Sequence, residues 1–211
     1  MSSTPFTMPE AFWNTRFRDA GDDYLFGVEP NRWLVRHADA LAGCNSVLAV
    51  ADGEGRNSVW LAQQGFAVTA SEISPVALAK ARKLAAGRQV SVNFERADLL
   101  THVWPQAVYD AVVAVFIQFV GPQERAAVFG GLKSAVKPGG VVLLQGYTPK
   151  QLEYKTGGPP SIDHLYTPEL LRVLFGDWEI LRLEAYEDEL AEGTGHKGRS
   201  ALIGLVAKKP A

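Results

Sequence analysis

The sequence contains a single cysteine, Cys44, among 211 residues. No disulfide can form within the chain, and a zinc site built from several cysteines is excluded. A surplus of charge of one sign is also missing, because 21 Lys and Arg face 23 Asp and Glu, for a net charge of -2. A protein that binds nucleic acid mainly through phosphates needs a positive surplus, so we expect no nucleic-acid partner.

Long hydrophobic runs are absent as well. The longest apolar run covers residues 111–117 and is far too short to cross a bilayer. The first ten residues, MSSTPFTMPE, have no charged start followed by an apolar run, so no signal peptide is expected. These absences favour a cytoplasmic protein with no membrane partner, as a monomer or a homodimer.

From residue 46 onward, short β-branched runs alternate with helical segments. The runs typical of strands are 46–50, 67–71, 90–95, 108–115, 141–147, 179–189 and 200–207. Helices are predicted at 57–64, 75–86, 122–136 and 167–175. This alternation predicts a doubly wound, mostly parallel α/β sheet. No helix separates the last two runs, so one final strand is expected to be antiparallel.

Residues 1–45 show no strand pattern. Two helices are predicted there, at 10–19 and 31–41, and we expect them to form an N-terminal helical cap on the core of residues 46–211. Since 211 residues correspond to one ordinary domain, the whole chain is interpreted as a single domain.

A glycine-containing turn follows the first predicted strand. Gly53 and Gly55 allow a close backbone approach to a ligand at the carboxyl end of the sheet, where doubly wound folds bind their ligands. Such a pair can equally be a plain tight turn. The third position of a dinucleotide fingerprint falls on Ser58 rather than glycine, which favours S-adenosylmethionine over a dinucleotide.

Two carboxylates stand where a nucleoside would need them. Glu72 ends the second strand and can accept hydrogen bonds from ribose hydroxyls, although it could also be a solvated residue at the strand end. Asp98, within Ala97-Asp98-Leu99 after the third strand, can accept a hydrogen bond from an adenine amino group, or simply serve as a turn or capping residue.

Four motifs together carry a resemblance to a known family. They are VLAVADGEGRNSVWLAQQGFAVTASEISPVALAKAR (47–82), RADL (96–99), LKSAVKPGGVVLLQGY (132–147) and, in the cap, YLFGVEPNRWL (24–34). The chain resembles class I S-adenosylmethionine-dependent methyltransferases, and is similar to the tellurite-resistance and thiopurine S-methyltransferase-like group. The resemblance implies a seven-stranded Rossmann-like sheet with the seventh strand antiparallel. The implied cofactor-binding set is Ala49, Ala51, Gly53, Gly55, Arg56, Asn57, Glu72, Ile73, Ala97, Asp98, Leu99 and Phe116.

The chain departs from the family pattern at two positions. Ala49 replaces an acidic residue that faces the cofactor's ammonium group in relatives, and Ala51 replaces the first glycine of the turn. Alanine resists a positive φ, so the turn is expected to differ slightly. Asp52 lies three residues beyond Ala49 and is not assumed to replace the missing carboxylate.

Aromatic and polar residues above the strand ends are candidates for the acceptor side. Tyr24, Phe26, Gln118 and Tyr154 are predicted substrate contacts, and the catalytic candidates are His196 and Tyr147. Packing of the cap is the alternative role of the aromatic residues. For His196 the alternative is hydrogen bonding within a glycine-rich turn. None of the four histidines has metal-ligand spacing with a second ligand, so no metal is expected.

The sequence thus predicts an enzyme that methylates a small-molecule nucleophile: a thiol, a selenium or tellurium species, or an amine. A soft nucleophile needs no protein base, so the lack of an obvious catalytic dyad does not argue against an enzyme. The alternative is a binding protein of the same fold that has lost efficient cofactor use, which Ala49 and Ala51 would explain.

Overall fold

The computed structural model describes residues 8–211, and the first seven residues of the expected cap lie outside that range. Seven helices and seven strands follow one another along it, with 3₁₀ turns at Ala38–Leu41 and Ile162–His164. The helices are α1 (Glu10–Asp19), α2 (Arg32–Arg36), α3 (Arg56–Gln63), α4 (Pro75–Gly87), α5 (Pro122–Ala135), α6 (Gln151–Tyr154) and α7 (Pro168–Leu174). The strands are β1 (Ser46–Val50), β2 (Ala67–Glu72), β3 (Asn93–Arg96), β4 (Tyr109–Val115), β5 (Val136–Tyr147), β6 (Glu179–Glu192) and β7 (His196–Lys208).

All seven strands form one sheet in the order β3-β2-β1-β4-β5-β7-β6. The pairs among β1 to β5 are parallel, whereas β7 is antiparallel to both of its neighbours, β5 and β6. The strand order reverses between β1 and β4, which is the switch point where such sheets bind ligands. The predicted doubly wound sheet with an antiparallel last strand is confirmed.

Several element boundaries differ from the sequence expectation. The segment 31–41 is not one helix, because α2 ends at Arg36 and a separate 3₁₀ turn follows His37, whose φ of -114° and ψ of 24° leave the helical region. The third strand begins at Asn93 rather than at residue 90. The hairpin strands β6 and β7 extend to Glu192 and start at His196, which leaves a three-residue turn between them.

The sheet is covered on both faces, as its apolar central strands require. One buried cluster joins β4 and β5 to α5 and α7, with Phe129 and Phe175 at its centre. The opposite cluster attaches the cap to the sheet through Trp33, which is 1% exposed. The Trp33 ring lies so close to β7 that a Cβ on Gly204 would be 2.2 Å from it. Glycine at this position therefore lets the cap lie flat on the sheet.

The described residues contain no helix that is long and apolar enough to cross a membrane. Within residues 8–211 there is also no group of three or more His, Cys, Asp or Glu side chains placed to hold a metal ion.

Candidate active site

A cavity of about 660 Å³ opens at the carboxyl ends of β1, β2, β3 and β4. Helix α1 of the cap forms its other wall, through Trp13 and Phe17. This is the edge where the strand order reverses, so the cavity lies where the fold class predicts a ligand site.

Most of the predicted cofactor-binding residues meet in this cavity. Those that line it are Ala51, Gly53, Arg56, Asn57, Glu72, Ile73, Ala97, Asp98, Leu99 and Phe116. Ala49 and Gly55 do not. Ala49 is buried within β1, and Gly55 faces helix α4, where an added Cβ would lie 2.8 Å from the Cβ of Ala81. Gly55 therefore serves the packing of α3 on α4.

The turn after β1 keeps a left-handed residue at its first position. Ala51 has a φ of 47°, followed by Gly53 at 62° and Gly55 at 92°. The expected change in the turn at Ala51 is therefore not seen. A left-handed alanine costs about 1 kcal/mol or more relative to glycine, and the surrounding structure sustains that strain.

Glu72 is placed at the cavity wall by two backbone hydrogen bonds. The N–H of Gly53 donates to Oε2 at 2.9 Å, and the N–H of Ser74 donates to Oε1 at 2.8 Å. Burial raises the pKa of Glu72, because the charged carboxylate loses water. Each oxygen retains a further lone pair, so the carboxylate can still accept hydrogen bonds from two hydroxyl groups of a ligand.

Asp98 lies at the opposite side of the same cavity, in the turn after β3. Its Oδ1 accepts a hydrogen bond from the N–H of Leu100 at 3.0 Å. Its Oδ2 has no hydrogen-bond partner among residues 8–211 and is left for a ligand. Ile73 and Leu99 supply apolar wall between the two carboxylates.

Asp52 is a partly buried carboxyl group that the sequence analysis did not assign to the site. It lines the cavity, and its Oδ1 accepts from the N–H of Ser58 at 3.3 Å while its Oδ2 accepts from the Ser58 hydroxyl at 2.5 Å. Loss of water and, to a smaller extent, the nearby Glu72 raise the pKa of Asp52 to about 7 against the opposing effect of Ser58. Two other acids of the cavity already have cations, since Glu54 pairs with Lys80 and Glu10 with Arg96. Asp52 has none within 4 Å in the described chain.

A buried ion pair supports the inner end of the cavity. Arg56 Nη1 lies 2.9 Å from Glu192 Oε2, and both side chains are 7% exposed. The Nδ1 atom of His196 lies 3.6 Å from the same oxygen. Burial raises the pKa of Glu192, but Arg56 and the adjacent His196 outweigh that effect and hold the pKa at about 2. Glu192 is therefore ionised and faces the Nδ1 side of the imidazole ring, at a distance too long for a hydrogen bond.

The His196 ring is enclosed by aromatic side chains, with ring centroids 4.4 Å from Phe26 and 4.3 Å from Phe116. Burial lowers the pKa of His196, and this effect is larger than the opposing effect of Glu192, which raises the pKa. The imidazole is thus neutral at neutral pH. Because Nδ1 is turned to Glu192, Nε2 is the nitrogen available as a proton acceptor.

Buried polar side chains from distant segments fix this arrangement, and the sequence analysis missed them. Asn31 Nδ2 donates to Gln145 Oε1 at 2.5 Å and to Glu192 Oε1 at 3.2 Å. The N–H of Asn31 donates to Asn57 Oδ1 at 2.9 Å. The cap, β5, α3 and the hairpin are therefore linked through one residue of the cap.

The β6–β7 turn docks tightly on the cap. The N–H of Gly195 donates to the carbonyl of Leu25 at 2.8 Å. An added Cβ on Gly193 would lie 2.4 Å from the same carbonyl oxygen, and one on Gly195 would lie 2.5 Å from the Phe26 ring. This close approach explains why glycines precede His196. The docked turn in turn fixes the position of His196 at the cavity.

A second, smaller chamber of about 130 Å³ adjoins the cavity and shares six residues with it: Met8, Trp13, Phe26, Phe116, Phe119 and His196. Its other walls are Arg16, Gln118, Tyr147, Gly157, Gly158, Pro159 and Gly195. It is largely aromatic and lies beside the inner end of the main cavity. We call it the acceptor chamber.

Two of the four predicted substrate residues, Phe26 and Gln118, line the acceptor chamber. Tyr24 and Tyr154 line neither space. The Tyr24 hydroxyl donates to the carbonyl of Lys80 at 3.2 Å, and its ring packs between α3 and α4. The Tyr154 hydroxyl donates to Glu187 on the outer face of the hairpin. The predictions for both rest on aromatic character above the strand ends, which does not determine where a ring points.

The catalytic candidate Tyr147 lies in the chamber wall, stacked on Phe116 at 4.6 Å. Its buried hydroxyl has no hydrogen-bond partner in the described chain. Burial raises the pKa of Tyr147 well above its usual range, so the phenol stays protonated. It can donate a hydrogen bond to a ligand but cannot serve as a base at neutral pH.

Comparison with known proteins agrees with this site. Residues 47–140 match the family model of a methyltransferase domain. The matched residues include the turn after β1, Glu72 and Asp98, whereas the cap and the hairpin with His196 lie outside them. A curated relative, hemagglutinin 1 of Eikenella corrodens, is 25% identical over 191 residues, which cover 87% of this chain and 61% of that protein. The chain therefore spans about three fifths of that relative's length.

Solved structures show the same fold. A protein studied for the conversion of a disulfide bond into a thioacetal group during echinomycin biosynthesis has a TM-score of 0.77, with 20% identity over 95% of this chain and 92% of that one. TehB from Haemophilus influenzae has a TM-score of 0.70, with 18% identity over 95% of this chain and 66% of that one. The N-methyltransferase NodS from Bradyrhizobium japonicum, in complex with S-adenosyl-L-homocysteine, has a TM-score of 0.72, with 13% identity over 96% of this chain and 98% of that one. The fold is that of S-adenosylmethionine-dependent methyltransferases.

Proposed function

We propose that this protein transfers the methyl group of S-adenosylmethionine to a small-molecule nucleophile. The observation that carries the proposal is a single cavity that joins the glycine turn, Glu72 and Asp98 at the switch point of the sheet. When bound, the cofactor supplies the chemistry, because its sulfonium makes the methyl group electrophilic. The protein supplies alignment, exclusion of water and a proton acceptor.

The cavity offers a partner for each part of that cofactor. Glu72 would bind the ribose hydroxyls and Asp98 the adenine amino group, with Ile73 and Leu99 against the ring. Gly53, Arg56 and Asn57 would surround the methionine portion. Asp52 is suited to the ammonium group, since it is a partly buried carboxyl with no cation within 4 Å in the described chain, and it would take the place of the carboxylate that Ala49 lacks.

The acceptor would occupy the small aromatic chamber beside Phe116. Its volume of about 130 Å³ favours a compact molecule. An engineered cavity of about 150 Å³ holds one benzene ring. A thiol fits these walls best, and a selenium or tellurium nucleophile or an amine is the chemical alternative. This preference agrees with the tellurite-resistance and thiopurine S-methyltransferase-like group, to which the sequence motifs are similar.

His196 would accept the proton that a neutral acceptor loses. Its pKa is lowered by burial, so Nε2 carries a free lone pair at neutral pH, and Glu192 stabilises the imidazolium that results. Arg56 keeps Glu192 ionised for that purpose. The role of His196 is therefore that of a general base, and Tyr147 could donate a hydrogen bond to the acceptor.

A turnover assay with thiophenol and S-adenosylmethionine tests the proposal by measuring release of S-adenosylhomocysteine. Glu72→Gln should raise the KM for the cofactor about 10–100-fold, because hydrogen bonds to a charged acceptor contribute about 1.5–3 kcal/mol. Glutamine keeps an oxygen for one of the two backbone N–H groups only, so the thermal unfolding midpoint of the variant has to confirm a folded protein. The control is Glu95→Gln on β3, an exposed residue outside the cavity, which should leave KM unchanged.

Cofactor binding without turnover of any thiol, selenol or amine would contradict the enzymatic role. It would identify the chain as a binding protein that has kept the site and lost the reaction. Equal effects of Glu72→Gln and Glu95→Gln on KM would contradict the placement of the ribose.

A further inference from the structure

Arg16 reaches the acceptor chamber from helix α1. Its side chain is half-buried and lines the chamber but not the larger cavity. The guanidinium carbon lies 5.7 Å from the centre of the Trp13 ring and 5.8 Å from that of Phe26. The aromatic rings therefore hold the cation at the wall of the chamber.

No acidic side chain balances this charge. Among residues 8–211, no carboxylate lies within 4 Å of the Arg16 guanidinium, and none of the chamber's lining residues is acidic. The other arginine near the site, Arg56, is by contrast neutralised by Glu192 at 2.9 Å. Burial lowers the pKa of Arg16, which shows that water is partly removed from the cation. A partly desolvated cation without a counter-ion favours an anionic ligand.

We infer that Arg16 binds an anionic group of the methyl acceptor, so that the natural acceptor is a small nucleophile carrying a carboxylate. The inference rests on the proposed function and narrows its substrate class. A planar guanidinium can hold a carboxylate through two parallel hydrogen bonds, which also orients the bound molecule.

The position of Phe26 connects this anion site to the proposed base. The centre of its ring lies 5.8 Å from the guanidinium carbon of Arg16 and 4.4 Å from the centre of the His196 ring. An acceptor that binds Arg16 by its carboxylate and points its nucleophile at His196 would cover Phe26 with its apolar body. The chamber volume of about 130 Å³ suits a body of one aromatic ring.

Mercaptobenzoate and thiophenol form a matched pair of probes, because they differ only in the carboxylate. With the intact protein, at least one isomer of mercaptobenzoate should have a higher kcat/KM than thiophenol. Arg16→Met should raise the KM for that isomer about 10–100-fold, because a charge-assisted hydrogen bond is lost. The same variant should change the KM for thiophenol by less than about threefold, because thiophenol has no carboxylate. Arg18→Met is the control, since Arg18 is an exposed arginine on the same helix that lines neither space.

A binding measurement that needs neither turnover nor a variant accompanies the assay. Calorimetric titration of the intact protein, saturated with S-adenosylhomocysteine, should show benzoate binding at least about tenfold tighter than its neutral analogue benzamide. Arg16→Met should abolish the difference while the thermal unfolding midpoint confirms a folded protein.

Each other outcome overturns the inference in a recognisable way. Equal binding of benzoate and benzamide, with thiophenol still methylated, removes the anion site and leaves the proposed function intact. Weaker binding of S-adenosylhomocysteine to Arg16→Met, with benzoate binding unchanged, assigns Arg16 to the cofactor's own carboxylate. Failure of the intact protein to bind S-adenosylhomocysteine removes the proposed function itself.

Discussion

His196→Gln is expected to lower kcat for acceptors that enter the site protonated by about 10²–10⁴-fold, the usual contribution of a general base. Glutamine preserves much of the ring's volume but cannot take up a proton. The loss should shrink as the acceptor becomes more acidic, because a thiol that is already a thiolate in solution needs no base. Rates for a series of substituted thiophenols of increasing pKa measure this dependence.

His102→Gln is the matched control, because His102 follows β3 and lines neither the cavity nor the chamber. It should leave the rates of the whole thiophenol series unchanged.

The intact protein should keep its rate with protonated acceptors down to a pH below about 6.5, the ordinary pKa of histidine, since burial lowers the pKa of His196. A uniform loss across the series in His196→Gln would show that the ring only packs against Phe26 and Phe116.

Asp52→Asn should stabilise the ligand-free protein and weaken cofactor binding at the same time. The pKa of Asp52 is raised to about 7 by burial, from 3.8 in the absence of such effects. The folded state therefore holds a proton that the unfolded state releases between these values, so stability falls as pH rises through that window. Removing the buried charge should raise the free energy of unfolding at about pH 7.5 by roughly 1–3 kcal/mol. Urea unfolding with and without S-adenosylhomocysteine measures both effects.

Cofactor affinity should show the opposite dependence on pH. A cation binds the ionised carboxylate, so affinity of the intact protein for S-adenosylhomocysteine should rise by about tenfold or more between about pH 5.5 and 7.5 as Asp52 loses its proton. The increase of affinity with pH should be smaller in Asp52→Asn. Part of the increase should persist in that variant, because burial also raises the pKa of Glu72, which faces the same cavity.

Asp110→Asn is a control whose expected effect on the free energy of unfolding is opposite to that of Asp52→Asn. Asp110 lies at the far end of β4, where Lys137 and the N–H groups of Asn45 and Ser46 hold its pKa well below the usual range. The substitution should lower the free energy of unfolding and leave cofactor affinity unchanged. If Asp52→Asn behaves in the same way, Asp52 is a capping residue for α3 and takes no part in binding.

The cavity that we propose for the cofactor was largely predictable from the sequence motifs. Strand ends, the glycine turn and the acids at Glu72 and Asp98 are each set by a few neighbouring residues, and a parallel sheet brings its carboxyl ends together. The backbone of the turn was less predictable. Ala51 adopts a left-handed φ that its residue type disfavours, because β1 and α3 fix both ends of the turn.

The acceptor half depends on contacts between segments far apart in the chain. Asn31 is the first residue of a predicted helix, and in the structure it caps α2 by accepting from the N–H of Leu34 and also donates to Gln145 and Glu192. Arg16 is one of several charges on a short helix, and only packing of the cap against the hairpin places it in the chamber. Local patterns carry no information about such pairs, which explains why Tyr24 and Tyr154 were selected in their place.

The central claim is that the cavity binds S-adenosylmethionine, and calorimetric titration of folded, ligand-free protein tests it most directly. S-adenosylhomocysteine should bind with a Kd of about 1–10 μM, while NAD should bind at least about 100-fold more weakly, since Ser58 stands where a dinucleotide site has glycine. Absence of S-adenosylhomocysteine binding at millimolar concentration, or tighter binding of NAD, would contradict the account.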